Sequence, residues 1–388
     1  MAFEFTERLK KLPPYLFVEI DKAKRRARAK GRDIIDLGIG DPDESTPKEI
    51  IESLYKAACD SKNHHYPLDQ GNSVFRDRIA RWYKERFNVI LDQEKEILPL
   101  IGSKEGISHM PLAFINPGDI SLVPDPCYPP YKSGTILAGG IPCIMPLTEE
   151  NNFLPDLNKI KPQTLKKAKV IYINYPNNPT ASVCEKTFFE NIALFAKKYN
   201  LIVASDAAYS EIAFDGYRPD SFLKAEGGKE TGIEFHSLSK TCNMTGWRIG
   251  FACGNEKIIS GIAKVKSNID SGVFNAIQMA GITALDIADK HLEKMNKVYQ
   301  KRRDILVDGL NKLGWVIKKP KATFYVWARL PKEYKSSIEF AGLVLDKTNI
   351  IITPGIGFGE SGEGYVRFAL TVSEERIQEA VQRLERVL

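Results

Sequence analysis

The sequence predicts an α/β protein: a large, mostly parallel sheet between helices, joined to a smaller α+β part. Three observations carry that expectation. From Glu96 onward, short apolar runs alternate with Gly- or Pro-marked turns and helical stretches, the strand–turn–helix rhythm of parallel sheets. Beyond residue 289 the rhythm stops, and a long polar helix (289–313) is followed by strands (324–330, 365–370) mixed with helices (338–347, 374–388). The chain has 388 residues, enough for two domains, with no internal repeat or low-complexity tract. The expected division is an N-terminal arm with part of the smaller unit (1–45), a large unit (46–288) and a C-terminal unit (289–388).

Composition narrows the functional class. Hydrophobic residues make up 43% and charged residues 27%, the balance of an ordinary globular protein. Net charge is +6, and the densest basic run, residues 22–32, reads as the solvated face of a helix, so no nucleic-acid partner is expected. The six cysteines (59, 127, 143, 184, 242 and 253) form no C-x-x-C pair and read as free thiols of a cytoplasmic protein. The first fifteen residues are charged and lack an apolar core, and no apolar run approaches membrane-spanning length, so neither a secretion signal nor a membrane partner is expected.

Taken in order, the arm Leu12–Phe17 is stiffened by Pro13 and Pro14 and leads into a helix expected over 18–30. A strand over 34–39 runs into Gly38-Ile39-Gly40-Asp41-Pro42, either a plain turn or a place where backbone approaches a ligand as closely as only glycine permits. His64 and His65 are adjacent and so point apart, with no third ligand evident; no metal is expected. A strand over 97–101 breaks at Gly102-Ser103-Lys104-Glu105-Gly106, with a helix expected from Ile107. A glycine-flanked turn at a helix start exposes N–H groups and the positive end of the helix dipole, which makes an anion site. It matches neither common nucleotide motif, and Ser103 and Lys104 are placed to hold a phosphate. The strand 120–123 ends among prolines with Tyr128, and the strand 170–174 ends in Tyr175-Pro176-Asn177-Asn178-Pro179-Thr180.

The strand 201–204 ends in Ser205-Asp206, and Tyr209 follows three residues on. A carboxylate at the end of a buried strand costs several kcal/mol unless it has a partner. The strand 232–237 ends in Ser237-Leu238-Ser239-Lys240, and Arg248 opens the next apolar run, 249–253. A lysine just past the carboxyl end of a strand sits where open α/β sheets bind ligands. The two hydroxyls and the arginine can hold a phosphate. A half-buried amine beside a phosphate site is what a Schiff base to pyridoxal 5'-phosphate needs, and the cofactor's pyridinium nitrogen is the natural partner for Asp206. Arg367 lies amid apolar neighbours in the strand 365–369, either on a solvated face or paired.

The string Ser237-Leu238-Ser239-Lys240 followed by Gly246-Trp247-Arg248-Ile249-Gly250 resembles the lysine motif of the fold-type I, class I/II aminotransferases, whose other motifs follow in order over nearly the whole chain. The resemblance implies a seven-stranded, mostly parallel sheet in the large domain and a small α+β domain drawn from both termini. It implies pyridoxal phosphate held on Lys240, amino-acid and 2-oxo-acid substrates, and a homodimer with shared active sites. In it Tyr128 stacks on the cofactor ring, Asn178 and Tyr209 serve the phenolic oxygen, and Asp206 serves the ring nitrogen. Ser103, Lys104, Ser237, Ser239 and Arg248 hold phosphate, joined by Tyr66 of a neighbouring subunit. Arg367 clamps the substrate carboxylate beside Gly40, and Lys104, Tyr128, Asn178 and Asn275 are further candidate substrate contacts. Within the family, the strings at 12–17, 101–106, 174–180, 232–241 and 266–274 are similar to the LL-diaminopimelate aminotransferase group. That implies amino transfer between LL-2,6-diaminopimelate and 2-oxoglutarate, with Tyr15 as a substrate contact. An aspartate, alanine or aromatic aminotransferase, or a C–S lyase on the same fold, is the alternative. A regulator built on this fold would carry an added DNA-binding module, and no helix-turn-helix is visible. Two positions depart from the family: Ala181, where glycine is usual, and Ala207, where Asn or Glu is common. If position 181 needs a positive φ, alanine is strained by about 1 kcal/mol or more.

Overall fold

The strand–turn–helix rhythm folds into one seven-stranded sheet. The computed structural model describes residues 3–13, 22, 24, 25, 29, 31–67 and 70–388. Strand β1 is Ile35–Asp36. The next seven strands, β2 (Ile97–Leu100), β3 (Ile120–Asp125), β4 (Ile141–Pro146), β5 (Ala168–Asn174), β6 (Ile202–Asp206), β7 (Gly232–Ser237) and β8 (Gly250–Gly254), lie in the spatial order β2-β8-β7-β6-β5-β3-β4. The pairs from β4 through β3, β5 and β6 to β7 are parallel, and β8 is antiparallel to both its neighbours. Parallel pairing has one consequence for function: Asp125, Asn174, Asp206 and Ser237 all emerge on the same edge, the edge where such sheets bind ligands.

The remaining strands are β9 (Tyr325–Arg329), β10 (Ile350–Ile351), β11 (Thr353–Pro354) and β12 (Tyr365–Ala369). β9, β11 and β12 make a three-stranded antiparallel sheet, and β1 pairs in parallel with β10. The Ala369 N–H also donates to the Leu37 carbonyl at 2.7 Å, so the N-terminal segment is tied to the C-terminal sheet. Ile35 and Leu37 are buried in the same apolar core as Phe324, Val326 and Phe368. A single 38-residue helix, Asn275–Lys312, serves both cores: Ala280, Ala284 and Ala288 pack with Phe75 and Phe251 under the large sheet, while Tyr299, Leu306 and Leu310 pack under the small one. Residue 288 therefore falls inside a continuous helix.

Three expectations about elements need correction. The helix expected from Ile107 begins at Ser103, because Gly102 (φ +76°) makes the turn and no side chain is needed to cap it. The long polar helix begins at Asn275, since the small alanines before residue 289 continue the helical face onto the large core. The strand expected over 34–39 is regular only over β1. β4 carries Pro142 and Pro146, which argue against a strand interior; it is the sheet's edge strand, where a missing N–H does no harm. The helix expected over 18–30 lies largely outside the described residues.

Candidate active site

The sheet edge and the small sheet enclose a cavity of about 340 Å³. Of the fifteen candidate residues, twelve line it: Gly40, Ser103, Lys104, Tyr128, Asn178 and Asp206 from the earlier part of the chain, and Tyr209, Ser237, Ser239, Lys240, Arg248 and Arg367 from the later part. Of the others, Tyr66 is 87% exposed on its own chain and Asn275 begins the long helix, both outside the cavity. Tyr15 lies outside the described residues. A larger groove, about 750 Å³, lies between the long helix and the helix Glu374–Leu384, but its Lys297 is already paired with Glu293, Lys301 with Glu374, and Asp304 and Asp308 both with Lys319.

Lys240 sits in a short helical turn at the end of β7 and donates from Nζ to the Gly40 carbonyl at 2.8 Å. Burial pulls its ammonium down to about 8; the nearby Asp41 carboxylate opposes the fall, and the Arg367 and Arg248 charges add to it. Gly40 is needed where it stands, because a Cβ there would overlap the Tyr325 hydroxyl.

Asp206, at the end of β6, is buried and has no salt-bridge partner among the described residues. Its Oδ2 accepts from the Tyr131 hydroxyl at 2.6 Å and its Oδ1 from the Ala208 N–H at 3.2 Å. Burial pushes its carboxyl above the usual range despite those two bonds. Tyr131, stacked on Tyr172 at 4.9 Å, was not singled out in the sequence. The strand end itself is held by Asn174, whose Nδ2 donates to the Asp206 carbonyl at 2.7 Å and whose Oδ1 accepts from the Asn178 N–H at 2.8 Å. A buried asparagine closing β5 was the one signal that could have marked it.

Arg367, in the middle of β12, is 1% exposed. It donates from Nη1 to Asn178 Oδ1 and from Nη2 to the Gly38 carbonyl, both at 2.7 Å. Its guanidinium lies 4.0 Å over the Tyr325 ring. The Tyr325 and Tyr209 hydroxyls are 2.9 Å apart, and burial raises the Tyr209 phenol well above its ordinary value. Tyr325 thus touches three candidates at once, and its strand was foreseen without any sign of that role.

At the other end of the cavity, the helix Ser103–Phe114 brings its N-terminal residues, Ser103 and Lys104, into the wall. Gly102 has no Cβ, and the Arg248 guanidinium occupies the space one would fill. Arg248 itself adopts a left-handed φ of +55° and donates to the Thr245 carbonyl at 2.8 Å, with Ser237 and Ser239 nearby in the wall. Backbone N–H groups, hydroxyls and a guanidinium facing one space form an anion site.

Residues 32–384 match the family model described as aminotransferase class I and II. The chain belongs to that family. It is 55% identical over 381 residues to a protein of Moorella thermoacetica named LL-diaminopimelate aminotransferase, covering 98% of this chain and 97% of that one. Among solved structures it superimposes on apo BacF of Bacillus subtilis with a TM-score of 0.96 at 38% identity (100% and 98% of the two chains). An aminotransferase of Staphylococcus aureus gives 0.91 at 35% identity, over 99% of each. The fold is the fold-type I aminotransferase fold, and the chain is an aminotransferase. Position 181 does need a positive φ: Ala181 has a φ of +56° in the Asn177–Ser182 turn.

Proposed function

We propose that this aminotransferase works with pyridoxal 5'-phosphate and that its amino donor is LL-2,6-diaminopimelate, with 2-oxoglutarate as acceptor and tetrahydrodipicolinate formed after ring closure. What carries the cofactor reading is the arrangement of complementary groups in one cavity: a buried carboxylate with no salt-bridge partner among the described residues at one end, an anion site at the other, and a lysine amine between them. The residues fit that molecule. Asp206 would hold a protonated ring nitrogen, Tyr128 would stack on the ring, and Asn178 and Tyr209 would serve the phenolic oxygen. Ser103, Lys104, Ser237, Ser239 and Arg248 would hold the phosphate.

When bound, the cofactor supplies an electron sink for the pair left behind on the substrate Cα. The chain's own residues do the rest. Lys240, with its ammonium near 8, keeps a usable share of neutral amine at physiological pH and accepts the proton from Cα. Asp206, in a dry setting, stabilises positive charge on its partner. Arg367 holds the α-carboxylate beside Gly40, which fixes which bond at Cα breaks. Gly38 and Asn178 hold the guanidinium in place before substrate arrives, so little reorganisation is needed.

The substrate reading rests on the relatives, several of which, at 53–55% identity over 98–100% of this chain, are named LL-diaminopimelate aminotransferase. We infer a cytoplasmic homodimer as its working form, with the exposed Tyr66 reaching the phosphate of a neighbouring copy and Asn275 and Tyr15 contributing to the substrate site. No helix among the described residues is long and apolar enough to cross a membrane.

The test is a visible spectrum of the purified protein, followed by glutamate formation from 2-oxoglutarate with LL-diaminopimelate, aspartate, alanine or phenylalanine as donor. The cofactor band should vanish in Lys240→Ala, and diaminopimelate should be the preferred donor by at least tenfold. Preference for another donor would overturn the substrate. Pyruvate release without any keto acid would overturn amino transfer itself.

A further inference from the structure

Beside the anion site lies a buried charge cluster that the proposed reaction does not use. Glu105, in the first turn of the helix Ser103–Phe114, accepts from the Ile101 N–H with Oε2 and from Lys266 Nζ with Oε1, the latter at 2.8 Å. Lys266 is 1% exposed and also donates to Asp270 Oδ1 at 2.6 Å. His109, one turn beyond Glu105, turns Nδ1 toward the same carboxylate at 3.4 Å. Glu105, His109 and Asp270 approach one another closely enough to resemble a metal cage. The Lys266 ammonium, bonded to both carboxylates, already supplies the positive charge there.

Such a cluster is a poor source of stability, because desolvating its charges offsets most of their attraction. Its position makes it stranger still. A carboxylate at a helix N-terminus is well placed for the helix, but it repels any phosphate bound at the same end. What Glu105 supplies is geometry. The amide it captures immediately precedes Gly102, whose own N–H is committed to the Leu100 carbonyl at 2.7 Å and whose bare Cα admits the Arg248 guanidinium. The Glu105 N–H returns to the Gly102 carbonyl at 3.1 Å. The turn is thus clasped from inside by one side chain, which the helix Glu256–Ser267 holds through Lys266.

We propose that Glu105 is a positioning residue for phosphate binding, holding the 101–104 turn open to an anion, with Lys266 as its counter-charge. The inference rests on the cofactor reading above. It can be tested by titrating cofactor-free protein with pyridoxal 5'-phosphate and, separately, with pyridoxal, which lacks the phosphate. Glutamine would still offer an oxygen to the Ile101 N–H, whereas alanine offers none, so Glu105→Ala should weaken binding of the phosphate form at least tenfold and change pyridoxal binding less than twofold. Tighter binding of the phosphate form would mean that charge repulsion dominates, and would overturn the inference. An equal loss for both ligands would mean a general structural role, and would also overturn it. A second readout needs no variant: hydrogen exchange of the Ile101 amide should be slow in the cofactor-free wild type, and fast exchange would refute a preformed clasp. Wild-type protein that binds the two ligands equally would instead sink the cofactor reading, and that is seen before any variant is made.

Discussion

The two ends of the cavity solve opposite problems by opposite means. At the Asp206 end a single carboxylate is buried, and among the described residues its hydrogen bonds come from neutral donors, Tyr131 and the Ala208 N–H. At the Arg248 end the charge is spread over a helix N-terminus, two serines and a guanidinium exposed to water. The difference lies in the dielectric: a charge is worth more where water is excluded, and no neighbour replaces it there. The dry end concentrates its effect in one residue, and the wet end distributes it.

The sharpest way to break that comparison is Asp206→Asn, which keeps the shape and removes the charge. Turnover should fall by about 10²–10³-fold, the scale of losing one preorganised electrostatic group, with cofactor binding much less affected. Arg248→Ala should show the reverse pattern. Losing one hydrogen bond to a charged group is worth about 1.5–3 kcal/mol, or roughly 10–100-fold in cofactor affinity, and the loss should shrink at high salt because the site is exposed. Steady-state kinetics beside equilibrium titration separate the two. Equal effects of both variants on turnover would show that the ends do not differ as described.

Lys240 stands between the ends, and its pH dependence sharpens the picture. Its ammonium is near 8 in the folded protein without cofactor, against about 10.4 for a free lysine. Between those values the unfolded chain binds the extra proton, so stability should rise as pH rises through 8 toward 10, and below 8 the burden of burying the ammonium is fully present. The stability difference between wild type and Lys240→Met, both without cofactor, should follow that curve in urea melts from pH 7 to 10. A flat difference would place the amine in water rather than in a dry cavity.

The sequence made one half of the site more legible than the other, for a physical reason. Lys240, Asp206, Asn178 and Ser103 lie at ends of strands, in the turns just beyond them or at starts of helices, where local pattern marks both the element and the turn. Twelve of the fifteen candidates accordingly meet in one cavity. For Tyr131, Tyr325 and Glu105 local pattern did not show the partner. Tyr131 reaches Asp206 across 75 residues, Tyr325 reaches Tyr209 across 116, and Glu105 reaches Lys266 across 161; such contacts exist only after the sheet is assembled. Tyr66 and Asn275 belong to the same class, since the surface they serve in the proposed dimer is not part of one chain.

The smallest predicted effect concerns Ala181, and its size comes from cancellation. Its φ of +56° implies about 1–2 kcal/mol of strain that Ala181→Gly would relieve. The same change removes a methyl that is 5% exposed and packs with the Tyr209 and Phe324 core, about 0.8 kcal/mol of burial. It also gives the unfolded chain more freedom, worth roughly 0.5–1 kcal/mol. The terms nearly cancel, so denaturant melts should place Ala181→Gly within about 1 kcal/mol of the wild type. That balance explains how alanine can persist at a left-handed position beside Asn178 without moving it. A stabilisation above about 2 kcal/mol would show instead that the methyl contributes nothing and that the turn is held open against its own preference by the Asn177 and Asn174 hydrogen bonds alone.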